Sequence, residues 1–472
     1  MPIDLSPEEF RALGYQAVDL IAAQLESVQQ APVRQPVPET LKSTIMDQPL
    51  PQGGISPEAL LERFAREVQP YPMGNASPRF MGWVNSPPAP LGAIAEMLAA
   101  ALNPSVAGGD HAATYVEHAV LNWMKEIMGY PRSAGGILVS GGSVANLVCL
   151  GAMRHAMTQR QDRVYGFYQV SAPAVIYTST EGHSCIQKAI EILGFGSQNL
   201  RKIPVDASFR MDMAALRQQI AADRQAGLRP VCVAASAGTV NTGAIDPLAE
   251  IADLCAAEGL WFHVDGSYGG VGILAGQTAG LYRGLERADS IAIDQHKWLF
   301  IPVECGSALV KDAELMRDTY SLVPPYLRDD RSLPWFSEFG IQQSRGFRAL
   351  KLWMVMQQVG VEGYREMISR NIDLAQKLAG KIANRPDFEL VATGALSIVC
   401  FRYTPAGVVN VDLLNQQLTP VLQNSGRAFI TSAELNGRPV LRACIVNFRT
   451  QESDLDELLQ AVVEAGEACM SQ

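Results

Sequence analysis

The sequence predicts an α/β fold in which helices cover both faces of a mainly parallel sheet. From about residue 130 onward, short continuous apolar runs alternate with stretches that have helical spacing, a pattern typical of parallel strands buried on both faces. The apolar runs are 136–139, 174–177, 231–235, 261–264, 290–293 and 307–310, and the helix-like stretches include 143–157, 184–194, 212–225 and 247–258. A proline-linked helical segment precedes this region, and a shorter α+β pattern follows it.

The N-terminal residues 1–75 are predicted to form a helical arm. Ser6, Pro7 and Glu9 make a capping-box pattern with proline at the first helical position, and a second Ser-Pro-Glu pattern starts at Ser56. The connector "APVRQPVPET" between them is too rich in proline to be helical. Amphipathic helices on an extended arm need another surface for their apolar faces, so we expect a homodimer with an exchanged arm. Packing on the same chain is the alternative.

Two further domains are expected after the arm, because 472 residues are too many for one small core. The alternating strands and helices predict a large domain over 76–345. Beyond it, a helix, the short strands "LSIVCF", "RAFITS" and "LRACIV", and a final helix predict a small C-terminal α+β domain over 346–472.

The composition excludes several classes of protein. At 48% hydrophobic and 18% charged residues the chain is globular, and its net charge of −10 without a basic block argues against nucleic acid or anionic membrane as partner. No apolar run reaches the roughly 18 residues of a membrane span, and the acidic N-terminus lacks the layout of a signal peptide. Eight scattered cysteines without a C-x-x-C pair indicate reduced thiols and no metal site. We therefore expect a cytoplasmic protein.

Polar or glycine residues follow most of the predicted strands. The segments are "SGGS", "TSTEGH", "SAGT", "DGSYGG" and "DQHK". Because the carboxyl ends of parallel strands meet at one edge of a sheet, these separate segments are predicted to converge on a single binding site.

Three features of this edge indicate one cofactor. Asp265, directly after a strand, is suited to hold a cation or a protonated ring nitrogen, and Lys297 is a candidate for Schiff-base chemistry because desolvation is expected to lower its pKa. Gly141, Gly142 and Ser143 open a helix after a strand, where backbone N–H groups can hold a phosphate. Alone, this loop is a weak signal, because it matches neither G-x-G-x-x-G nor the Walker pattern, and a mononucleotide site is its alternative. Together, this phosphate-binding loop (the phosphate cradle), the Asp265 carboxylate and Lys297 fit pyridoxal phosphate.

The motifs "SGGSVAN", "TSTEGHSCIQKA", "SAGTVNTGAIDP", "HVDGSYGG", "DQHKWLF" and "RGFRALKLWMV" carry a more specific resemblance. In this order they resemble the pyridoxal-phosphate-dependent group II amino acid decarboxylases, which include aromatic-L-amino-acid, histidine and glutamate decarboxylases. The resemblance covers roughly residues 55–450. It implies the type I (aspartate aminotransferase-like) fold, a homodimer with shared active sites, and conversion of an L-amino acid to an amine and CO₂, with an aromatic substrate favoured.

The resemblance also implies roles for individual residues. Lys297 is expected to be the Schiff-base lysine and Asp265 the partner of the pyridinium nitrogen. His183 is expected to stack on the ring near the substrate carboxylate, and Tyr326 to protonate the carbon that CO₂ leaves. The other expected cofactor-binding residues are Gly141, Gly142, Ser143, Asn146, Thr239, Ser267 and His296, and the substrate-binding candidates are Trp83, Asn85 and Arg442.

Departures from the family pattern leave alternatives open. Asp294 and Gln295 stand where the family commonly has Asn-Pro, and a carboxylate near a phosphate is unfavourable unless it points elsewhere, so no cofactor role is assigned to Asp294. Arg79 is compatible with an acidic or polar substrate, and an aliphatic amino acid is also an open alternative.

The nearest other activity is an aldehyde synthase of the same family, which decarboxylates and deaminates its substrate with oxygen. The presence of Tyr326 and His183 favours simple decarboxylation. A non-catalytic binding or assembly protein would be expected to lack Lys297, Asp265 or the phosphate cradle, all of which are present here.

Overall fold

The computed structural model of the chain describes residues 3–166, 172–322 and 333–471. Clustering of contacts divides the chain into two compact units. The first unit combines the residues up to Trp83 with Gly380–Val391 and the residues from Phe401 onward, and the second combines Val84–Ala379 with Ala392–Cys400. The three domains predicted from the sequence, with boundaries at 75 and 345, remain a prediction.

Three helices form the N-terminal part of the first unit: α1 (Pro7–Ser27), α2 (Glu39–Met46) and α3 (Pro57–Glu67). Ser6 caps α1 in the predicted capping box with Glu9, and the Ser56 side chain caps α3. None of the residues in these three helices is buried, so their apolar side chains remain largely exposed. The helical N-terminal arm is thus confirmed, with α2 as an additional short helix that starts directly after Pro38.

Helices surround the sheet of the second unit and separate most of its strands along the chain. They are α4 (Pro90–Leu102), α5 (Ala112–Ile127), α6 (Gly142–Met157), α7 (Asp162–Tyr165), α8 (Ser184–Ile192), α9 (Met213–Gln225), α10 (Leu248–Glu258), α11 (Ala313–Tyr320) and α12 (Ala349–Ala383). The long helix α12 is interrupted at Gly360, where the backbone has a φ of 68°.

Seven strands form the sheet of the second unit. They are β1 (Gly135–Val139), β2 (Ala174–Ser179), β3 (Leu200–Ile203), β4 (Arg229–Ser236), β5 (Trp261–Asp265), β6 (Ser290–Ile293) and β7 (Gly306–Val310), in the spatial order β1-β7-β6-β5-β4-β2-β3. Strands β2 to β6 pair in parallel, whereas β7 is antiparallel to β1 and β6. Every residue of β1, β2, β6 and β7 is buried, as helices on both faces require. The predicted fold class is confirmed.

The direction of the strands places the functional segments together. All strands except β7 run the same way, so the carboxyl ends of β1, β2, β4, β5 and β6 lie at one edge of the sheet. The segments that follow these five strands are those singled out in the sequence. The edge at which they meet is therefore the place to look for a binding site.

The C-terminal part of the chain forms a second, smaller sheet with two helices. Its elements are β8 (Phe388–Thr393), β9 (Ile398–Tyr403), α13 (Val411–Ser425), β10 (Thr431–Leu435), β11 (Arg438–Cys444) and α14 (Glu452–Met470), and the strand order is β10-β11-β9-β8. In the first unit, Phe80 stacks on Phe429 with 4.8 Å between ring centroids, and Val33 completes this small buried cluster. Over the described ranges, no helix combines the length and apolar character that crossing a membrane requires.

Candidate active site

A cavity of about 400 Å³ lies at the carboxyl edge of the sheet in the second unit. Its lining comes from the segments that follow five different strands, with two residues from the loop before β7. The lining residues are Ser140, Gly141, Gly142, Ser143, Val144, His183, Cys185, Ser236, Gly238, Thr239, Val240, Asp265, Ser267, Tyr268, Asp294, His296, Lys297, Val303 and Glu304. The structure therefore brings together the residues predicted for the cofactor, except Asn146. Tyr326 lies outside the described residues.

The first turn of α6 forms one wall of the cavity. Gly141 precedes the helix in an extended conformation, and no side chain caps the first turn, so its backbone N–H groups are available to an anion. A Cβ atom on Gly142 would collide with Ser267 Oγ and lie 2.8 Å from Asp294 Oδ2. Glycine is thus needed because Ser267 and Asp294 pack directly against the start of the helix, and the N–H groups of the first turn fit a phosphate group.

Replacing Gly142 by alanine tests the cradle. The added methyl group would collide with Ser267 Oγ and Asp294 Oδ2 and displace these side chains beside the first turn, so we expect affinity for pyridoxal phosphate to fall by about tenfold or more. Equilibrium titration of the cofactor-free protein measures the change. Gly280→Ala is the matched control, because a Cβ atom there meets no atom within 4 Å. Equal affinity in the two variants would contradict the assignment.

Asp265 is held as an ionised carboxylate. Its Oδ1 accepts hydrogen bonds from the Ser267 backbone N–H at 3.1 Å and from Ser267 Oγ at 2.6 Å, while Oδ2 lies 3.8 Å from Cys185 Sγ. Burial alone would raise the pKa of Asp265, but the bonds from Ser267 and the charge of Lys297 outweigh it and hold the pKa below its usual range. The group suits a protonated ring nitrogen.

The environment of Lys297 differs from the one expected. Its Nζ lies 2.9 Å from Asp294 Oδ2, and its side chain is 23% exposed. Desolvation lowers the pKa of Lys297, but the negative charges of Asp294 and Asp265 outweigh it, so the pKa is raised above its usual value. The expectation that desolvation would leave this lysine with a lowered pKa is wrong, because the Asp294 carboxylate points at the ammonium, which residue types alone do not predict.

Two histidines of the cavity are neutral donors. His183 precedes α8, and its Nδ1 accepts a hydrogen bond from the Cys185 backbone N–H at 3.2 Å. His296 Nδ1 accepts from the Cys305 N–H at 3.0 Å. Desolvation lowers the pKa of both imidazoles. Since Nδ1 is an acceptor in each ring, the proton of the neutral form lies on Nε2.

Asn146 lies behind the lining of the cavity. It is fully buried, and its Nδ2 donates to Gly142 O at 2.8 Å. Its Oδ1 therefore accepts from His263 Nε2 at 2.6 Å, and His263 Nδ1 accepts from the Ser290 hydroxyl at 2.9 Å. Burial lowers the pKa of His263 to about 4, which keeps this ring neutral. Asn146 thus ties the first turn of α6 to β5 and β6 and does not line the cavity itself.

The substrate-binding candidates are distributed over both units. Trp83 and Arg442 belong to the first unit, where Arg442 Nη1 donates to Trp83 O at 2.9 Å. Asn85 belongs to the second unit, is half-buried, and is not among the described residues that line the cavity. Arg79 donates to the backbone oxygens of Gln29 and Ala31 in the first unit, which is a structural contact. The substrate roles of Trp83, Asn85 and Arg442 remain predictions.

Several lining residues were missed in the sequence. Asp294, Cys185 and Tyr268 stand inside the recognised motifs, and their positions one or two residues from assigned ones were the available signal. Val303 and Glu304 come from a loop with no motif of its own, so no sequence signal pointed to them.

Comparison with known proteins agrees with this chemistry. The sequence model described as the pyridoxal-dependent decarboxylase conserved domain matches residues 38–404. An aromatic-L-amino-acid decarboxylase of Bacillus atrophaeus is 34% identical over 469 residues, which cover 98% of this chain and 96% of the relative. A phenylacetaldehyde synthase of a Rosa hybrid cultivar is 29% identical, covering 99% of this chain and 96% of that relative.

Solved structures resemble the chain over nearly its whole length. Oryza sativa TDC with PLP and tryptamine has a TM-score of 0.90 at 27% identity, with 99% of both chains covered. Mouse CSAD also has a TM-score of 0.90, at 26% identity, covering 98% of this chain and 99% of that one. The fold of this chain thus also occurs in these solved proteins.

Proposed function

This chain belongs to the pyridoxal-dependent decarboxylase family, and we propose that it converts an aromatic L-amino acid to the corresponding amine and CO₂. It is a pyridoxal-phosphate-dependent amino acid decarboxylase with the type I fold. The observation that carries the proposal is the meeting of a phosphate cradle, an ionised carboxylate and a lysine in one cavity. The relative named as an aromatic-L-amino-acid decarboxylase supports the aromatic substrate.

The residues of the cavity fit pyridoxal phosphate. The first turn of α6 would hold the phosphate, Asp265 the ring nitrogen, and Lys297 the aldehyde carbon. When bound, the cofactor supplies an electron-withdrawing ring that stabilises the negative charge left at the substrate α-carbon. Because the Asp265 carboxylate is ionised, it would favour the protonated form of a ring nitrogen bound beside it.

His183 and Tyr326 are proposed to act on the substrate. His183 is exposed at the cavity, and its Nε2–H is directed by the bond from Cys185 N–H to Nδ1. A neutral N–H donor can orient the substrate carboxylate without the strong attraction that a positive charge would exert on the group that must leave. Tyr326 is proposed, from the family resemblance, to return a proton to the α-carbon.

The products distinguish this function from its nearest alternative. Relatives named phenylacetaldehyde synthase favour aldehyde formation as a second candidate. The purified protein, loaded with pyridoxal phosphate, is incubated with phenylalanine, tyrosine, tryptophan, dihydroxyphenylalanine and glutamate. We expect amine and CO₂ in equal amounts from an aromatic substrate. Aldehyde with hydrogen peroxide in place of amine would contradict the proposal, and turnover of glutamate alone would contradict the aromatic substrate.

We propose that the protein is a homodimer whose arm helices α1 and α3 pack on the partner subunit. The support is a set of exposed apolar side chains on helices that bury no residue: Phe10 is 59% exposed, Ile21 48%, Leu60 48% and Phe64 43%. Such a surface is typical of an interface. A cytoplasmic location, without nucleic-acid or membrane partners, is likewise proposed from composition alone.

Charged residues on the arm test the dimer. The double variant Phe10→Asp and Phe64→Asp is expected to shift the protein from dimer to monomer at micromolar concentration, because carboxylates are costly at an apolar interface. Sedimentation velocity measures the change. Glu8→Gln with Glu62→Gln is the control, since it changes polar residues of the same helices. A monomeric wild type, or a double variant that remains dimeric, would contradict the proposal.

A further inference from the structure

Asp294 is a buried carboxylate that the proposed chemistry does not use. It follows β6 directly, is only 4% exposed and lines the cavity. Its Oδ2 lies 2.9 Å from Lys297 Nζ and 3.8 Å from His296 Nε2. Its Oδ1 is buried and makes no hydrogen bond within the described part of the chain. One oxygen is thus paired with the lysine, and the other has no donor among the described residues.

The same carboxylate stands against the phosphate cradle. A Cβ atom on Gly142 would lie 2.8 Å from Asp294 Oδ2, and one on Gly141 would lie 3.6 Å from Oδ1. A Cβ atom on Gly306, which is next to Gly141, would lie 2.7 Å from Oδ1. The carboxylate is therefore directly beside the first turn of α6, where side chains larger than hydrogen at Gly142 and Gly306 would collide with it.

The position gives Asp294 two effects on a ligand that carries both a phosphate and an aldehyde. Like charges brought close together in a buried site repel each other, so the carboxylate opposes a phosphate group in the cradle. An ammonium is not a nucleophile, so the lysine must leave its ion pair with Asp294 before it can attack an aldehyde. Both effects act against binding, and neither requires contact with the substrate.

We propose that Asp294 is a positioning residue that weakens cofactor binding. It holds the Lys297 ammonium in an ion pair when no aldehyde is bonded to the lysine, and it repels a phosphate group at the first turn of α6. The inference rests on the proposed role of this cavity as the site of pyridoxal phosphate. The chain therefore binds the cofactor less tightly than its cradle alone would allow, and the cofactor exchanges more readily with the free pool. A neutral side chain of the same shape removes both effects.

Three ligands separate the two effects in Asp294→Asn. Equilibrium dialysis of the cofactor-stripped, full-length protein is carried out with pyridoxine 5′-phosphate, which has no aldehyde, with pyridoxal, which has no phosphate, and with pyridoxal 5′-phosphate. We expect Asp294→Asn to bind pyridoxine 5′-phosphate on the order of tenfold or more tightly than wild type, because an amide can donate to the phosphate. Affinity for pyridoxal is expected to rise as well, and that for pyridoxal 5′-phosphate to rise most.

Two further variants complete the design. Asp294→Ser, smaller and neutral, is expected to change affinities in the same direction, so the test survives if Asp294→Asn fails to fold. Asp289→Asn is the control: Asp289 immediately precedes the same strand, and its Oδ2 accepts from the Phe262 N–H at 2.8 Å. Removal of this charge is expected to leave all three affinities unchanged.

The outcomes are distinct. Unchanged or weaker binding of pyridoxine 5′-phosphate in Asp294→Asn and Asp294→Ser overturns the proposed opposition to phosphate, and unchanged binding of pyridoxal overturns the proposed hold on Lys297. Either result, with normal cofactor binding by wild type, leaves the proposed function intact. A wild type that binds none of the three ligands overturns the proposed function and this inference with it.

Discussion

Replacing Lys297 by alanine is expected to reduce decarboxylation by at least about a thousandfold and to remove the visible absorption of the bound cofactor. The lysine amine can bond covalently to an aldehyde, and Lys297 lines the cavity with its Nζ 2.9 Å from Asp294 Oδ2. Without it, the cofactor is held only by the cradle and Asp265. The absorption spectrum of the purified protein and the steady-state kcat measure the two effects.

Lys311→Ala is the matched control for this variant. Lys311 follows β7, which runs opposite to the other strands, so it lies at the far edge of the sheet, where its Nζ donates to Glu286 O at 3.2 Å. It is expected to retain both the absorption and the activity. Equal loss in the two variants, or retained activity in Lys297→Ala, would contradict the assignment.

Asp265→Asn is expected to lower kcat by roughly a hundredfold to a thousandfold while the protein still binds the cofactor. The amide can accept the bonds from Ser267, but it has no charge with which to keep the ring nitrogen protonated. Because the pKa of Asp265 is held below its usual range, the wild-type carboxylate is ionised throughout the neutral range. The amide of the variant cannot ionise, so raising the pH is not expected to restore its activity. Activity and bound cofactor are measured on the same sample.

Asp289→Asn is also the control here, because it removes the same charge from a neighbouring part of the sheet. Its kcat is expected to equal that of wild type. A normal kcat in Asp265→Asn would show that this carboxylate does not act on the ring nitrogen. Loss of cofactor together with activity would point instead to a role in binding alone.

Much of the fold follows directly from the sequence. The six predicted apolar runs lie within β1, β2, β4, β5, β6 and β7, because a strand buried on both faces must be apolar throughout. Strand β3 was missed for the converse reason. Its residues Arg201 and Lys202, on a strand at one edge of the sheet, are not buried, and its sequence therefore lacks a continuous apolar run.

The site was predictable in its components but not in its electrostatics. Strand direction alone predicts that Gly142, Asp265 and Lys297 meet at one edge. The ion pair between Asp294 and Lys297 depends on the backbone path after β6, which no pattern of residue types specifies. Likewise, Asn146 lies one helical turn after Gly142, but the direction of its side chain, toward His263, is set by the packing of α6 on the sheet.

The most direct test of the account locates the cofactor on the chain. The purified protein, loaded with pyridoxal phosphate, is reduced with borohydride, digested and analysed by peptide mass spectrometry. We predict one phosphopyridoxyl group per chain, on Lys297. Its attachment to another lysine, or no attachment at any lysine, would contradict the assignment of this cavity as the active site.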